Sequence, residues 1–156
     1  MLARLMFALV DFTARKGLVE AGPDNAPQVS RQRARRTGVR GETYAYWYLR
    51  RHGYVLVARN YTSPGIKGEI DMIGYDGPVL AFVEVKTRAA AEGQPRPEDA
   101  VNAEKRRHLA RMAQQFVRAR RIDPASCRFD VLAIETRSGM RPDVRLHKGA
   151  FTPVAG

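Results

Sequence analysis

Residues 68–86 read GEIDMIGYDGPVLAFVEVK, and this stretch decides the fold. Two β-prone runs, Ile70 to Tyr75 and Val79 to Lys86, flank Asp76-Gly77-Pro78. A short Gly/Pro turn between such runs predicts an antiparallel hairpin. Strand side chains alternate between faces. Val83 and Val85 therefore point into a core, while Glu84 and Lys86 share the other face. On the preceding strand Glu69 and Asp71 share a face. With Tyr75 paired to Pro78, Asp71 lies opposite Phe82. Glu84 is then its diagonal neighbour on the same face, about 7–8 Å away between backbones.

Ionisable groups inside so apolar a strand need a reason, because burying unpaired charge is costly and adjacent carboxylates repel. A divalent cation removes that repulsion, and Mg²⁺ takes one or two carboxylates together with phosphate and water. A lysine beside such an ion can orient or deprotonate a water, or offset charge in a transition state. That combination points to phosphodiester cleavage. The plainer alternative is a cross-strand ion-pair ladder on the surface. The apolar flanks, the one-face placement and the basic balance of the chain favour the site.

Outward from the hairpin, Glu42 to His52 reads as a helix stopped by Gly53, and Tyr54 to Ala58 as a strand. Thr62 to Gly65 is a loop. Ala100 to Arg121 is a long helix ending before Pro124, followed by strands at Arg128 to Glu135 and Val144 to Lys148. The order α-β-β-β-α-β-β predicts an α/β domain over 38–156. Residues 1–37 read as an extension: an amphipathic helix with Leu2, Leu5, Met6, Leu9 and Phe12 at helical spacing, a linker at 22–27, and a basic cluster from Arg31 to Arg36. That cluster, with Arg35 and Arg36, is either a phosphate-binding arm or a solvated, disordered tail.

The 156 residues suit one domain, and 44% hydrophobic content suffices for a core. The longest apolar run, Leu5 to Val10, has six residues, far short of the ~20 that span a bilayer. With 27 Lys+Arg against 16 Asp+Glu, the net charge is +11. The expected partner is therefore a polyanion, nucleic acid first. The N-terminal helix is too short and too weakly basic for stable membrane association. One cysteine, Cys127, excludes a disulfide framework within the chain and reads as a buried structural thiol. The expected compartment is the cytoplasm.

An acid followed at ten to twenty residues by (D/E)-x-K resembles the core of the restriction-endonuclease-like nucleases. The wider set is more specific. Gly41-Glu42, Gly53-Tyr54, Asn60-Tyr61, Gly68 to Asp71, Phe82 to Lys86 with Arg88, Lys105, and Arg128 to Val131 resemble, in order and spacing, the YraN family of predicted endonucleases. That family is similar to archaeal Holliday junction resolvases, and the resemblance covers about residues 38–151. It implies a central mixed sheet flanked by helices, with a metal site at the sheet's split edge. Asp71 and Glu84 would hold Mg²⁺ or Mn²⁺, Glu42 would complete the ligand set, and Lys86 would be the catalytic lysine. The substrate would be DNA, branched or flapped, cut to leave a 5′-phosphate. A resolvase-like role would want a two-fold dimer. The rival function is a non-catalytic nucleic-acid-binding module with a relict site.

Other residues carry two readings each. Glu42 could simply favour the positive end of its helix. Glu69 reads as a surface acid rather than an outer partner of the site. Lys105 falls on the apolar stripe of the long helix with Leu109, Met112 and Phe116. It either snorkels at the sheet's rim or supplies a second catalytic cation. Arg106, Arg107 and Arg111 form a solvated face or track a DNA backbone. Tyr44, Tyr46, Trp47 and Tyr48 cover more than one helix face, so exposed rings could stack on unpaired bases, the alternative being core and dimer packing. Asp130 has no role that the sequence explains.

Overall fold

The computed structural model describes residues 1–15, 17–18 and 27–152, with backbone alone for 27–30. Its elements are α1 (Leu2–Ala14), α2 (Pro27–Arg51), β1 (Val55–Ser63), β2 (Ile66–Asp76), β3 (Val79–Ala89), α3 (Ala103–Arg120), β4 (Cys127–Thr136) and β5 (Asp143–Phe151). The five strands form one sheet in the order β1-β2-β3-β4-β5. Only β3 and β4 are parallel; the other pairs are antiparallel. A parallel neighbour demands a crossover, which α3 provides.

Both sheet faces are apolar because both are covered. On one face Ile70, Ile73, Leu80 and Phe82 pack against Leu109, Met112 and Phe116 of α3. On the other, Met72, Val83, Leu132 and Ile134 pack against Tyr44, Ala45 and Leu49 of α2 and Phe7 of α1. Val83 and Val85 thus turn toward α2, away from Glu84 and Lys86, as the alternation requires.

The hairpin closes with a loop of the expected two residues, but its register is shifted by two. Asp76 pairs with Val79 around a Gly77-Pro78 loop, and Ile73, not Asp71, lies opposite Phe82. Gly77 supplies the positive φ of 58° at the first loop position, which a side chain would resist. A slip of two keeps the faces of the paired residues 72–76, while the strict alternation breaks between Ile70, in the α3-side core, and Met72, in the α2-side core. The slip changes distance: the register Met72↔Val83, continued by one residue, brings Asp71 directly opposite Glu84 instead of diagonal to it.

A second correction concerns α2, which starts 15 residues before the expected Glu42 and runs unbroken across positions 37 and 38. The Arg31 to Arg36 cluster is helical, not an irregular tail. Pro27 opens the helix, where a missing N–H costs nothing. The expected domain edge at 38 and helix start at Glu42 both fall inside this helix. Gly41 is where α2 crosses β3: a Cβ there would lie 1.9 Å from Thr87 Oγ1. The linker expected over 22–27 lies outside the described residues, apart from the backbone of Pro27.

Helix α1 docks through Phe7, Asp11 and Ala14. Phe7 meets Tyr44 edge-on at 5.3 Å. Buried Asp11 accepts hydrogen bonds from Tyr44 Oη (2.8 Å) and Arg141 Nε (3.0 Å). Leu2, Leu5 and Leu9 of the expected stripe face outward. No helix among the described residues is long and apolar enough to cross a membrane.

Asp130 acquires a role. It is fully buried and accepts from Arg128 Nε (2.8 Å), Tyr54 Oη (3.1 Å) and the Gly149 amide (3.0 Å). Arg128 and Lys148 also hold Asp76 beside the hairpin turn. One carboxylate thereby ties β4 to β5 and to the start of β1. Burial, then the Asp130 charge, pushes the Tyr54 hydroxyl pKa up. Asp130→Ala is expected to cost about 3 kcal/mol in urea unfolding, because it strands buried donors around a half-buried guanidinium. A loss below about 1 kcal/mol would mean that the network is slack. Cys127, expected to be buried, is only partly so; its thiol lies 3.6 Å from the Asp123 carbonyl.

Candidate metal centre

The backbone pairs recorded between β2 and β3 stop at Met72↔Val83, while β3 and β4 pair on to Ala89↔Thr136. Where β2 parts from β3, a side chain takes over the ladder: Asp71 Oδ2 accepts the Val85 amide hydrogen at 2.7 Å. The parting of the strands is thus itself stabilised by the acid, and it opens a notch lined by carboxylates.

Three of them converge. One oxygen from each of Glu42, Glu69 and Asp71 lies within 4.8 Å of the other two. Glu42 comes from α2, brought close by the Gly41 crossing. Its Oε2 accepts from Asn60 Nδ2 at 2.9 Å. Asn60 holds a left-handed φ of 47°, a conformation that asparagine tolerates better than most residues. Glu69 and Asp71 come from β2.

Glu84, 3% exposed, stands beside this trio. Its Oε1 receives Lys86 Nζ at 2.8 Å and Lys105 Nζ at 3.2 Å. Its Oε2 is buried with no hydrogen-bond partner among the described residues. Lys105 reaches it from the first turn of α3, whose start is fixed by Asn102 Oδ1 accepting the Lys105 amide hydrogen (2.9 Å). Burial first, then the charges of Glu84 and Glu42, push the Asp71 pKa up from 3.8 to about 7, against the pull of the Val85 amide and Lys105. Four carboxylates facing two ammonium groups are short of positive charge. An all-oxygen donor set and an orphaned buried carboxylate oxygen fit a hard divalent cation.

Asp71, Glu84, Lys86, Glu42 and Lys105 are therefore brought together. Glu69, read from the sequence as a surface acid, joins Glu42 and Asp71; its i, i+2 relation to Asp71 was the available signal. Asn60 was part of the motif set, but nothing in the sequence showed that it would hold Glu42. Of the basic residues, Arg35 is at the site: it lines a hollow of about 430 Å³ with Gly38, Val39, Glu42, Arg59, Asn60 and Glu69. Arg36 is exposed on α2, and Arg107 and Arg111 are exposed on α3. Arg88, half-buried near the end of β3, has an Nε with no hydrogen-bond partner among the described residues. Arg106 is engaged elsewhere, donating to the Val101 carbonyl (2.9 Å) and lying over Phe151.

A mixed sheet between helices, with acids gathered where two strands part, defines an α/β protein of the restriction-endonuclease-like class. The chain belongs to the family described as Uncharacterised protein family UPF0102, the YraN family, which matches residues 41–134. It is 40% identical over 116 residues to the UPF0102 protein Acid345_3985 of Koribacter versatilis, covering 74% of this chain and 79% of that one. It is 43% identical over 111 residues to a UPF0102 protein of Solibacter usitatus (71% and 82% covered). A UPF0102 protein of Symbiobacterium thermophilum, STH1475, is 42% identical over 118 residues (76% and 98% covered). The four acids and both lysines of the site fall within the matched region.

Proposed function

We propose that the protein is a Mg²⁺- or Mn²⁺-dependent endonuclease that hydrolyses phosphodiester bonds in DNA, branched or flapped forms among the substrates to be tested. The observation that carries this reading is the Glu42–Glu69–Asp71 trio beside a buried glutamate clasped by two lysines. A bound divalent cation supplies Lewis acidity at the phosphoryl oxygen and lowers the pKa of water. Asp71, Glu42 and Glu69 offer it oxygen ligands, and the free Oε2 of Glu84 offers another. Lys86, kept in place by Glu84, holds a proton-bearing amine at the notch, where it orients the attacking water or offsets charge building on the phosphate. Lys105 adds a second positive charge from α3.

The test is the purified full chain with Mg²⁺ or Mn²⁺ on flapped, branched, duplex and single-stranded DNA, beside Asp71→Ala and Lys86→Ala. Metal-dependent cutting that both substitutions abolish is the expected result. Cutting that survives both would place the activity elsewhere. Salt-sensitive DNA binding without metal-dependent turnover would favour the rival reading, a binding module, for which the net charge of +11 is the supporting observation.

A further inference from the structure

Along α2, Gly38, Glu42, Tyr46 and Arg50 succeed one another every four residues, hence on one face. Tyr46 stands one turn, about 6 Å, beyond the acid of the metal centre. Around it lies a cluster that the chemistry above does not use. The Arg59 guanidinium sits 4.7 Å over the Tyr46 ring. Arg50 lies 5.5 Å from the same ring and 5.3 Å from Trp47, and donates to Tyr46 Oη at 3.0 Å. Tyr46 and Trp47 meet edge to face at 4.9 Å. Both rings are half-buried, and both arginines are exposed. Neither arginine pairs with a carboxylate among the described residues. Arg59 also lines the hollow that contains Glu42 and Glu69, with Arg35 in the same wall.

We propose that this face of α2 is a seat for an unpaired nucleic-acid strand leading into the metal centre, with Arg35, Arg59 and Arg50 taking phosphates and Trp47 and Tyr46 taking bases. The inference rests on the nuclease reading for the polymer and adds its class. An arginine laid on an aromatic ring keeps its N–H fork pre-aimed, which suits a phosphate better than a flexible ammonium would. Aromatic rings gain from nucleotides only when base faces are free, and a duplex hides those faces in its own stack. The cluster is cationic and shares a hollow with the acids, so the strand it favours is a polyanion in line with the metal centre.

The chain has a single tryptophan, so Trp47 emission reads this face directly. The full chain is titrated in EDTA with an oligothymidylate of about 16 nucleotides and with a duplex of the same length. The expected result is quenching by oligothymidylate, with affinity at least about tenfold above that for the duplex. Arg50→Ala/Arg59→Ala, both at exposed positions, should weaken it about tenfold with unchanged circular dichroism, and Arg59→Lys only partly restores it. Equal quenching by the duplex, or affinity unmoved by the double substitution, would overturn the proposal. Quenching that depends on these arginines in a protein that cuts nothing supports the seat and overturns the nuclease reading. Metal-dependent cutting that is indifferent to both substitutions, with no preference for the single strand, does the reverse.

Discussion

Asp71→Asn is expected to raise the stability of the metal-free protein at pH 8 by about 2 kcal/mol and to erase its stabilisation by Mg²⁺ or Mn²⁺. Burial, with Glu84 and Glu42 close by, raises the folded-state pKa of Asp71 to about 7 from an ordinary 3.8. Between those values the folded chain binds more protons than the unfolded one, so stability falls as pH rises. The contribution of neutral Asp71 is complete below about pH 4, wanes up to about pH 7, and is gone above it. Asparagine stays neutral throughout, so its advantage grows from about pH 4 upward and is full above about pH 7. Three pH units at about 1.4 kcal/mol each set a ceiling of about 4 kcal/mol. The weaker bond from the Val85 amide to an amide oxygen takes back about half of that. On the proposed reading, a divalent cation would relieve the same repulsion in the wild type and stabilise it by mass action. Urea unfolding at pH 5 and pH 8, in EDTA and in Mn²⁺, reads all four combinations. A variant less stable than wild type in EDTA at pH 8 would show that the acids are not in mutual conflict.

Lys86→Met should lower turnover by about 10²–10⁴-fold, with little change in DNA affinity. The fold should survive, because Glu84 Oε1 keeps Lys105 at 3.2 Å and no buried charge is left alone. Lys105→Met should cost less, about tenfold, since the closer ammonium, at 2.8 Å, remains. Lys86→Arg separates the two roles of the amine. Arginine keeps the charge but does not give up its proton, so partial recovery means charge compensation and none means proton transfer. Single-turnover rates with saturating enzyme supply the comparison. Equal activity in Lys86→Met and wild type would remove Lys86 from the chemistry.

Much of the site was legible because strands obey a period of two. Glu84 with Lys86, and Glu69 with Asp71, could be assigned to faces from their spacing alone, and Lys105 could be placed on the inner stripe of α3 from its distance to Leu109 and Met112. The pairing across the hairpin was not legible to the residue. A two-residue loop closes equally well on Tyr75–Pro78 or on Asp76–Val79, and only the pair actually formed, Asp76–Val79, sets the separation of Asp71 from Glu84. The long α2 was missed for a related reason. Glycine is a weak helix former, and two of them, at 38 and 41, precede the expected start at Glu42; the approach of Thr87 that makes Gly41 useful belongs to β3, 46 residues later. Asp130 could not be read at all, since its partners Tyr54 and Gly149 are distant in the chain.

The amino-acid order by itself determined the succession of helices and strands, the face that each acid and lysine takes on its own strand or helix, and the positive charge of the whole. These are local or additive properties, set by backbone periodicity and by counting. The tertiary structure alone decided that Glu42 from α2, Glu69 and Asp71 from β2, Glu84 from β3 and Lys105 from α3 meet at one notch, with Asn60 steadying the first and Arg59 lying over Tyr46 nearby. Such meetings depend on how closely α2 crosses the sheet and on where β2 leaves β3, and both are outcomes of packing among residues far apart in the sequence.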